Sequence, residues 1–323
     1  MRGAGLLLAA ALIAALSPAP ASARGPRTNS DEYRRSWGLE AIGARAAFQA
    51  GLTGKGVTVA VIDCGVSKAQ REVMRNLSRR SLDVVQGRTM PVMDRHGSYV
   101  AGPLSAALNG NGMVGVAYKA TLLAVRADVD GGLDGACAFK PSDLARAMDY
   151  AVAQRARVIV LPIQGAKPMG EPFEAALQRT TASGAIVVIA AGNRTSANPS
   201  WPARYAVDPR FSGSIIVAGA TGYYGALTPW SNRAGAVKPY YIAAPGEWVL
   251  TDCVDKCQLV SGTSFSTSYV AGGLALMMEA WPDLSGPQLI ARILDTARDA
   301  GESGMDDVYG RGILDLTRTF ATN

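Results

Sequence analysis

Three residues of the chain have the types and the order needed for nucleophilic catalysis by a serine. Asp63 ends a β-branched run, His96 is the sole histidine and follows it by 33 residues, and Ser264 comes 168 residues after His96. A nucleophilic serine needs a base to take its proton, and that base needs a carboxylate to fix its tautomer and stabilise the imidazolium. Asp, His, Ser is a known chain order for this constellation. The combination therefore indicates a catalytic triad.

Taken singly, each of these residues also has a structural interpretation. Asp63 follows a strand-like run and suits a turn or a cap, and Ser264 opens an apolar helix-like run, where serine usually caps the helix. A lone histidine such as His96 is more often structural or merely exposed than catalytic. The catalytic interpretation thus depends on a fold that brings the three side chains together.

The chain alternates continuous apolar strand-like runs with helix-like runs, which is typical of a parallel sheet buried on both faces. A dinucleotide-binding fold shares this alternation, but no G-x-G-x-x-G follows the first strand. We expect one α/β domain over residues 37–318, with a mostly parallel central sheet and helices on both faces. The strand-like runs are 56–63, 121–128, 158–163, 185–191 and 214–220, and the helix-like runs are 142–156, 171–183, 265–278 and 286–297.

The amino terminus has the pattern of a secretory signal peptide. A basic start, an apolar run and a small-x-small end predict a signal peptide over residues 1–23, with an uncleaved membrane anchor as the alternative. Residues 24–36 form a short polar lead with no recognisable pro-domain, and residues 319–323 a tail. We therefore expect a secreted or periplasmic protein that does not span a membrane after signal cleavage.

Four cysteines are candidates for disulfides, because an exported protein meets an oxidising environment. Cys253 and Cys257 are close enough for a local bridge, which would leave Cys64 and Cys137 as a long-range pair. Free buried thiols are the alternative, and a four-cysteine zinc site is disfavoured because there is one short C-x3-C pair.

A single histidine excludes two-histidine metal motifs. A net charge of +6 is too small to indicate nucleic acid binding.

Three motifs of the chain resemble the signature motifs of the subtilisin-like serine proteases. They are V-A-V-I-D-C-G-V (59–66), H-G-S-Y-V-A-G (96–102) and G-T-S-F-S-T-S-Y-V-A-G (262–272), with supporting matches at 37–44, 115–125, 190–193 and 242–246.

The resemblance implies that Ser264 is the nucleophile, His96 the general base and acid, and Asp63 its orienting carboxylate. It also implies an oxyanion hole formed by the Asn193 side chain and the Ser264 backbone N–H. The reaction implied is acyl transfer, in which a peptide bond is cleaved through an acyl-enzyme.

The chain departs from the family at the strand that pairs with substrate. L-P-I-Q-G (161–165) stands where a small serine and free backbone are usual, so Ile163, Gln164 and Gly165 are the candidate substrate-binding edge. Pro162 supplies no N–H to a ladder. The loop 107–117 resembles one that binds calcium in some relatives, but it is shorter and lacks carboxylates, so we expect no metal and no cofactor.

These features leave three functional hypotheses. The complete catalytic set favours an exported serine endopeptidase that acts on peptide or protein substrates. The altered edge and the missing pro-segment favour a weak or inactive relative that binds peptides or an envelope partner. They also leave open a separate inhibitor or folding partner. An esterase shares the triad logic, but G-x-S-x-G is absent and the serine follows the acid and the base in the chain.

Overall fold

The β-branched runs form a parallel sheet at the centre of the fold. The structure is a computed structural model that describes residues 25–88, 96–129, 137–211, 213–253 and 256–321, so the predicted signal peptide lies outside the described residues. The central strands are β1 (Thr58–Asp63), β2 (Leu82–Asp83), β3 (Thr121–Arg126), β4 (Val158–Leu161), β5 (Ile186–Ala190), β6 (Ile215–Thr221) and β7 (Tyr241–Pro245).

The strand order of this sheet is β2-β3-β1-β4-β5-β6-β7, and the pairs are parallel. The chain places β3 on one side of β1 and β4 on the other, so the direction of winding changes at β1. In open α/β sheets ligands bind beyond the carboxyl ends of the strands at such a switch point. Asp63 is the last residue of β1 and therefore lies at that position.

Helices cover both faces of the sheet and bury two apolar layers. The helices are α1 (Asp31–Arg35), α2 (Gly38–Ala41), α3 (Ala44–Gln49), α4 (His96–Ser105), α5 (Pro141–Ala153), α6 (Phe173–Ala182), α7 (Thr263–Ala280), α8 (Gly286–Asp295) and α9 (Leu316–Ala321). Helices α4, α7 and α8 pack on one face, and α5 and α6 on the other. This arrangement confirms the predicted fold class, a single α/β domain with a mostly parallel sheet.

The element boundaries differ from the sequence prediction where local chemistry intervenes. The run 158–163 was expected to be one strand, but β4 ends at Leu161, because Pro162 has no N–H to continue the ladder. The antiparallel hairpin of β8 (Val249–Asp252) and β9 (Gln258–Val260) was not predicted. Its two strands are short and separated by the Cys253–Cys257 loop, so they carry little periodic signal.

Both ends of the described chain pack against the domain. Within the polar lead, α1 begins after Ser30, whose Oγ accepts the Tyr33 N–H, and Glu32 and Tyr33 are buried. At the other end α9 runs to Ala321, past the predicted boundary at residue 318, and Phe320 stacks on Trp281. Among the described residues, no helix is long and apolar enough to cross a membrane.

Candidate active site

The buried Asp63 carboxylate is hydrogen-bonded to the half-buried His96 ring at the end of β1. Asp63 is 1% exposed, and its Oδ2 and Oδ1 lie 2.8 and 3.0 Å from His96 Nδ1. The Cys64 N–H donates to Asp63 Oδ1 at 2.6 Å, which fixes the rotation of the carboxylate. With Nδ1 held as a donor, the lone pair of a neutral imidazole is on Nε2, which is the nitrogen that a general base needs.

Gly97 allows helix α4 to approach β1 closely enough for this contact. A Cβ at residue 97 would lie 2.3 Å from the Gly65 carbonyl oxygen and 3.1 Å from the Asp63 Cβ. Any side chain there would push the helix, and with it His96, away from the carboxylate. The glycine after the histidine is therefore required by packing at the site.

Ser264 lies in the first turn of α7, on the opposite side of the cavity from β1. The helix is N-capped by Gly262, and Ser264 is its second residue, so the N-cap interpretation of this serine is wrong. An N–H at this position has no intrahelical acceptor and lies at the positive end of the helix. The Ser264 Oγ donates to the Pro162 carbonyl oxygen at 3.1 Å, and a rotation about its Cα–Cβ bond would redirect this hydroxyl.

Asn193 follows β5 and is oriented by Thr263. Its Oδ1 accepts the Thr263 N–H at 2.9 Å and the Thr263 hydroxyl at 2.8 Å. Because the oxygen is occupied in this way, the Nδ2 group is the part of the amide that is available to donate toward a ligand. Gly192 precedes it with a φ of +106°, and a Cβ there would meet Ser200 and Asn232 at 2.5 Å.

A buried amide, Asn232, holds the loop that carries Asn193, and sequence reasoning missed it. Its Oδ1 accepts the N–H groups of Arg194 and Ser196, each at 3.0 Å. Its Nδ2 donates to the Ala191 carbonyl oxygen and to the Ser200 hydroxyl, also at 3.0 Å. Asn232 is fully buried, so all four partners are desolvated with it. A lone asparagine in the run W-S-N-R gave no motif by which to find it.

The predicted substrate edge lies against the same cavity. Ile163 is 6% exposed and packs into the apolar layer beneath α5 and α6. The Gln164 side chain accepts the Asn193 N–H at 2.9 Å, which links the edge to the loop after β5. Gly165 pairs with Trp201 through hydrogen bonds of 2.6 and 3.0 Å, so its backbone groups are engaged on that side.

Two disulfides are present, in the pairing that the sequence favoured. Cys64 is joined to Cys137 with a Cα–Cα distance of 6.1 Å, and Cys253 to Cys257 with a distance of 4.0 Å. The first bridge lies directly beside the Asp63–His96 pair, with Cys137 Sγ 4.0 Å from Asp63 Oδ1. The sequence identified Cys137 as a disulfide candidate but carried no sign that it would line the active-site cavity.

One cavity of about 240 Å³ is shared by most of the predicted site residues, but Asp63 and Gly165 are not part of its lining. Its walls include His96, Ser264 and Asn193, together with Cys137, Phe139, Pro162, Ile163, Gln164, Ala190 and Thr263. A larger groove of about 670 Å³ is lined by residues of the amino-terminal helices and Tyr223, and it contains none of the predicted site residues. The small cavity is therefore where the candidate chemistry is assembled.

A buried arginine pairs with Asp63 in the sheet register, but its charge is compensated locally. Arg126 is the β3 partner of Asp63. Its Nε lies 2.6 Å from Asp128 Oδ1, and its Nη1 lies 3.6 Å from Asp83 Oδ2. Arg88 joins the same cluster at 3.2 Å from Asp83. The two arginines are matched by the two aspartates, so the cluster adds no net formal charge beside the site.

The loop 107–117 uses its polar atoms among protein groups rather than arranging them around a cation. The N–H groups of Asn109 and Gly110 donate to Glu32 Oε2 at 3.3 and 2.9 Å, and the Asn109 Oδ1 accepts the Asn111 N–H at 2.8 Å. Calcium needs six to eight oxygen ligands, so oxygens already occupied by donors do not fit that ion. The expectation that the protein holds no calcium stays a prediction.

Comparison with known proteins shows the family to which the chain belongs. The model of the subtilase family matches residues 54–312, which include all four candidate catalytic positions. The chain belongs to the subtilase family. Similar relatives are subtilisin BL of Lederbergia lenta (31% identical over 280 residues, 86% of this chain and 96% of the relative) and subtilisin Savinase of the same organism (30%, with the same coverage). The minor extracellular protease Epr of Bacillus subtilis (strain 168) is 28% identical over 89% of this chain and 42% of its own length.

The predicted family and the predicted enzyme class are thus confirmed: the protein is a subtilisin-like serine endopeptidase. The assignment of individual catalytic residues rests on the geometry described above.

Proposed function

We propose that this subtilase is an exported endopeptidase that cleaves peptide bonds with Ser264, His96 and Asp63 as its triad. The observation that carries the proposal is the buried Asp63–His96 pair, with 2.8 Å between Oδ2 and Nδ1, facing a cavity that Ser264 also lines. In this geometry the buried carboxylate orients the histidine on the cavity wall as a general base, and it stabilises the imidazolium that forms when the histidine takes a proton.

The first half of the reaction forms an acyl-enzyme. Ser264 Oγ attacks the substrate carbonyl carbon while His96 Nε2 takes the hydroxyl proton, and Asp63 stabilises the imidazolium that results. The same imidazolium then gives the proton to the departing amine. Catalytic hydrogen bonds often tighten only when substrate is bound, and in this step the Ser264 hydroxyl would exchange its bond to the Pro162 carbonyl oxygen for one to His96.

The oxyanion of the tetrahedral intermediate would be held by Asn193 Nδ2 and by the Ser264 N–H. Thr263 occupies the Asn193 oxygen, so the amide cannot turn its acceptor toward the developing negative charge without losing two hydrogen bonds. The helix terminus adds its positive end at the same place. In the second half of the reaction, water deacylates Ser264 with His96 again as the base.

The substrate backbone would lie along residues 163–165. Neighbouring residues of an extended segment direct their N–H and C=O groups to opposite sides. Gly165 directs its own toward Trp201, so the Gln164 backbone groups would face the substrate. Pro162 adds no donor, which leaves this edge with fewer pairing positions than a regular strand offers. Ile163 would restrict the side chains that fit beside Ser264.

Export is supported by the signal-peptide pattern at residues 1–23 and by the two disulfides, which persist in oxidising compartments. Destinations in the periplasm and outside the cell are both compatible with these features. The protons and charges of the proposed reaction are carried by side chains and backbone of this chain, so we propose that it needs no cofactor.

Labelling with a serine-reactive fluorophosphonate tests the proposal directly. Protein comprising residues 24–323 should be captured at Ser264, and the Ser264→Ala variant should not. Ser183→Ala, which removes a hydroxyl that donates to the Thr180 carbonyl oxygen at the end of α6, is a matched control that should still be labelled. If folded parent protein is not captured, Ser264 is not an activated nucleophile, and the peptide- or partner-binding alternative is favoured.

A further inference from the structure

Four side chains at the active site have the composition of a metal site. Ligand atoms of Asp63, Cys64, His96 and Cys137 all lie within 4.8 Å of one another. Among the residues that the structure describes, no other group of three or more such side chains is as close. The two sulfurs are bonded to each other, and neither takes part in the proposed hydrolysis.

The donor set matches the preferences of zinc. Zinc takes cysteine sulfur, histidine nitrogen and carboxylate oxygen in tetrahedral sites, with bonds of about 2.0–2.3 Å. Such bonds separate two ligand atoms by roughly 3.3–3.8 Å, so atoms now within 4.8 Å need only small rotations once the sulfurs part. The backbone positions of Cys64 and Cys137, with Cα atoms 6.1 Å apart, would not have to change greatly.

We propose that the Cys64–Cys137 disulfide is a redox gate, and that opening it converts the catalytic Asp63–His96 pair into an inhibitory zinc site. The inference rests on the proposed function of Asp63 and His96. A zinc ion bound by these four residues removes the imidazole from its role as base and neutralises the carboxylate that orients it. The enzyme is then active when the bridge is closed and inactive when the bridge is open and zinc is present.

The chemistry balances with a reductant and a divalent cation. A phosphine attacks one sulfur of the bridge, and hydrolysis of the phosphorus–sulfur adduct gives the phosphine oxide and two cysteine thiols, so two electrons and two protons reach the sulfurs. Zinc binding then releases the two thiol protons as the Zn–S bonds form. Cys137 lines the cavity and is half-buried, so a small reductant can reach this sulfur, whereas Cys64 is fully buried.

The second disulfide provides an internal control. Cys253 and Cys257 are four residues apart beside the β8–β9 hairpin, and Cys257 is exposed. They have no histidine near them, because the only histidine of the chain is at the active site. The Cys253→Ser/Cys257→Ser variant therefore leaves one reducible bridge and removes the competing thiols.

The test uses that variant as residues 24–323, with cobalt as a spectroscopic probe and zinc as the inhibitor. After phosphine reduction and removal of the reagent, we expect one equivalent of Co²⁺ to bind with thiolate charge-transfer bands and tetrahedral d–d bands. Zinc should displace the cobalt. The rate of fluorophosphonate labelling of the zinc-bound protein should be more than about 100-fold below that of the reduced protein without metal. The oxidised protein should show neither the spectrum nor the inhibition, and reoxidation after chelation should restore labelling.

Two further variants keep the outcomes distinct. Cys64→Ser/Cys137→Ser should bind no cobalt with a thiolate signature, and His96→Gln should bind it more weakly even though it is inactive. If the oxidised parent is not labelled, the proposed function fails, while the cobalt spectra still test the metal site. Reduced, folded protein that binds no cobalt, or binds it with labelling unchanged, would overturn the gate. If Cys64→Ser/Cys137→Ser does not fold, reduction and reoxidation of one sample of the Cys253→Ser/Cys257→Ser variant still show whether opening the bridge creates the metal site.

Discussion

The two walls of the active-site cavity are built in different ways. The proposed catalytic residues form the catalytic wall, which consists of His96, Asn193 and Ser264 with Asp63 bonded to His96. They are attached to strand ends and to first turns of helices, and their side chains are held by hydrogen bonds to buried groups. The binding wall (residues 162–165) is an irregular segment that follows β4 and is tied to the rest of the protein through Trp201 and Asn193.

Because of this difference, the fold fixes the positions of the residues in the catalytic wall, whereas the residues of the binding wall can vary. Side chains at strand ends and helix termini are held as rigidly as the core elements that carry them, so the catalytic wall needs no adjustment to a particular substrate. A loop attached at two points can change its side chains without disturbing that geometry. Mechanism and specificity should therefore respond to different substitutions, with effects of different size.

The largest effect should come from the nucleophile. Ser264→Ala should reduce peptide turnover to the residual rate provided by binding and the oxyanion hole. In subtilisin itself, the published example for this family, losing the serine costs about 10⁶-fold in kcat. Steady-state hydrolysis of a peptide anilide, with circular dichroism to verify folding, measures it. Turnover within about tenfold of the parent would remove Ser264 from the mechanism.

A smaller loss is expected from the oxyanion donor. Asn193→Ala should lower kcat with little change in KM, because the amide acts on charge that develops after binding; the example measured in subtilisin is about 10²–10³-fold. Thr263→Val is the matched test of orientation. It removes one of two bonds to Asn193 Oδ1, together with the acceptor of the Gly192 N–H, and should cost less than the alanine variant because the Asn193 amide is still present. A raised KM with kcat unchanged would point to a binding role instead.

Lowering the pH should have opposite effects on activity, which depends on the catalytic wall, and on the Glu72 contribution to the stability of the fold. Activity should fall about tenfold per pH unit in the range where His96 is protonated, because the protonated ring cannot act as the base. Burial raises the pKa of the Glu72 carboxyl from its ordinary value of 4.5 to about 7, with the charge of Asp252 acting in the same direction. The folded state then binds this proton more tightly than the unfolded state. Stability is therefore gained, not lost, as pH falls from about 7 toward 4.5.

The measurement is Tm against pH beside kcat/KM against pH, for the parent and for Glu72→Gln. Glu72→Gln should flatten the stability profile, whose amplitude is at most about 3 kcal/mol, and should leave the acid limb of the activity profile in place. Parallel loss of activity and Tm in the parent between pH 7 and 5 would mean that acid inactivation is unfolding rather than protonation of the base.

The smallest effect should lie on the binding wall. Ile163→Ala enlarges the cavity beside Ser264, so it should change the ratio of kcat/KM for bulky over small side chains by about 10-fold or more, in favour of the bulky ones. Ile163→Val, which removes one methylene from the same side chain, is the graded control and should change the ratio less. A profile of substrates that differ at the residue before the scissile bond measures the ratio, and an unchanged ratio would show that Ile163 does not limit substrate size.

Much of the catalytic wall could be predicted from the sequence, because each of its residues follows a pattern with a local physical cause. Asp63 ends a β-branched run, and Ser264 opens an apolar helix after Gly262. The continuous apolar runs also indicated a parallel sheet, since strands covered on both faces cannot alternate polar and apolar residues. The strand that was misjudged, 158–163, failed at its proline, where one missing N–H ends the ladder.

What the tertiary structure alone decided are contacts between residues far apart in the chain. Cys137 is 73 residues from Cys64, and only folding places it 4.0 Å from the Asp63 carboxylate. Asn232 is similarly remote from the loop it holds, and a single buried amide has no periodicity to reveal it. Sequence pattern thus determined which residue types stand at the ends of elements, because secondary structure is local. The assembly of those ends into one cavity, with a disulfide in its wall, was decided by packing.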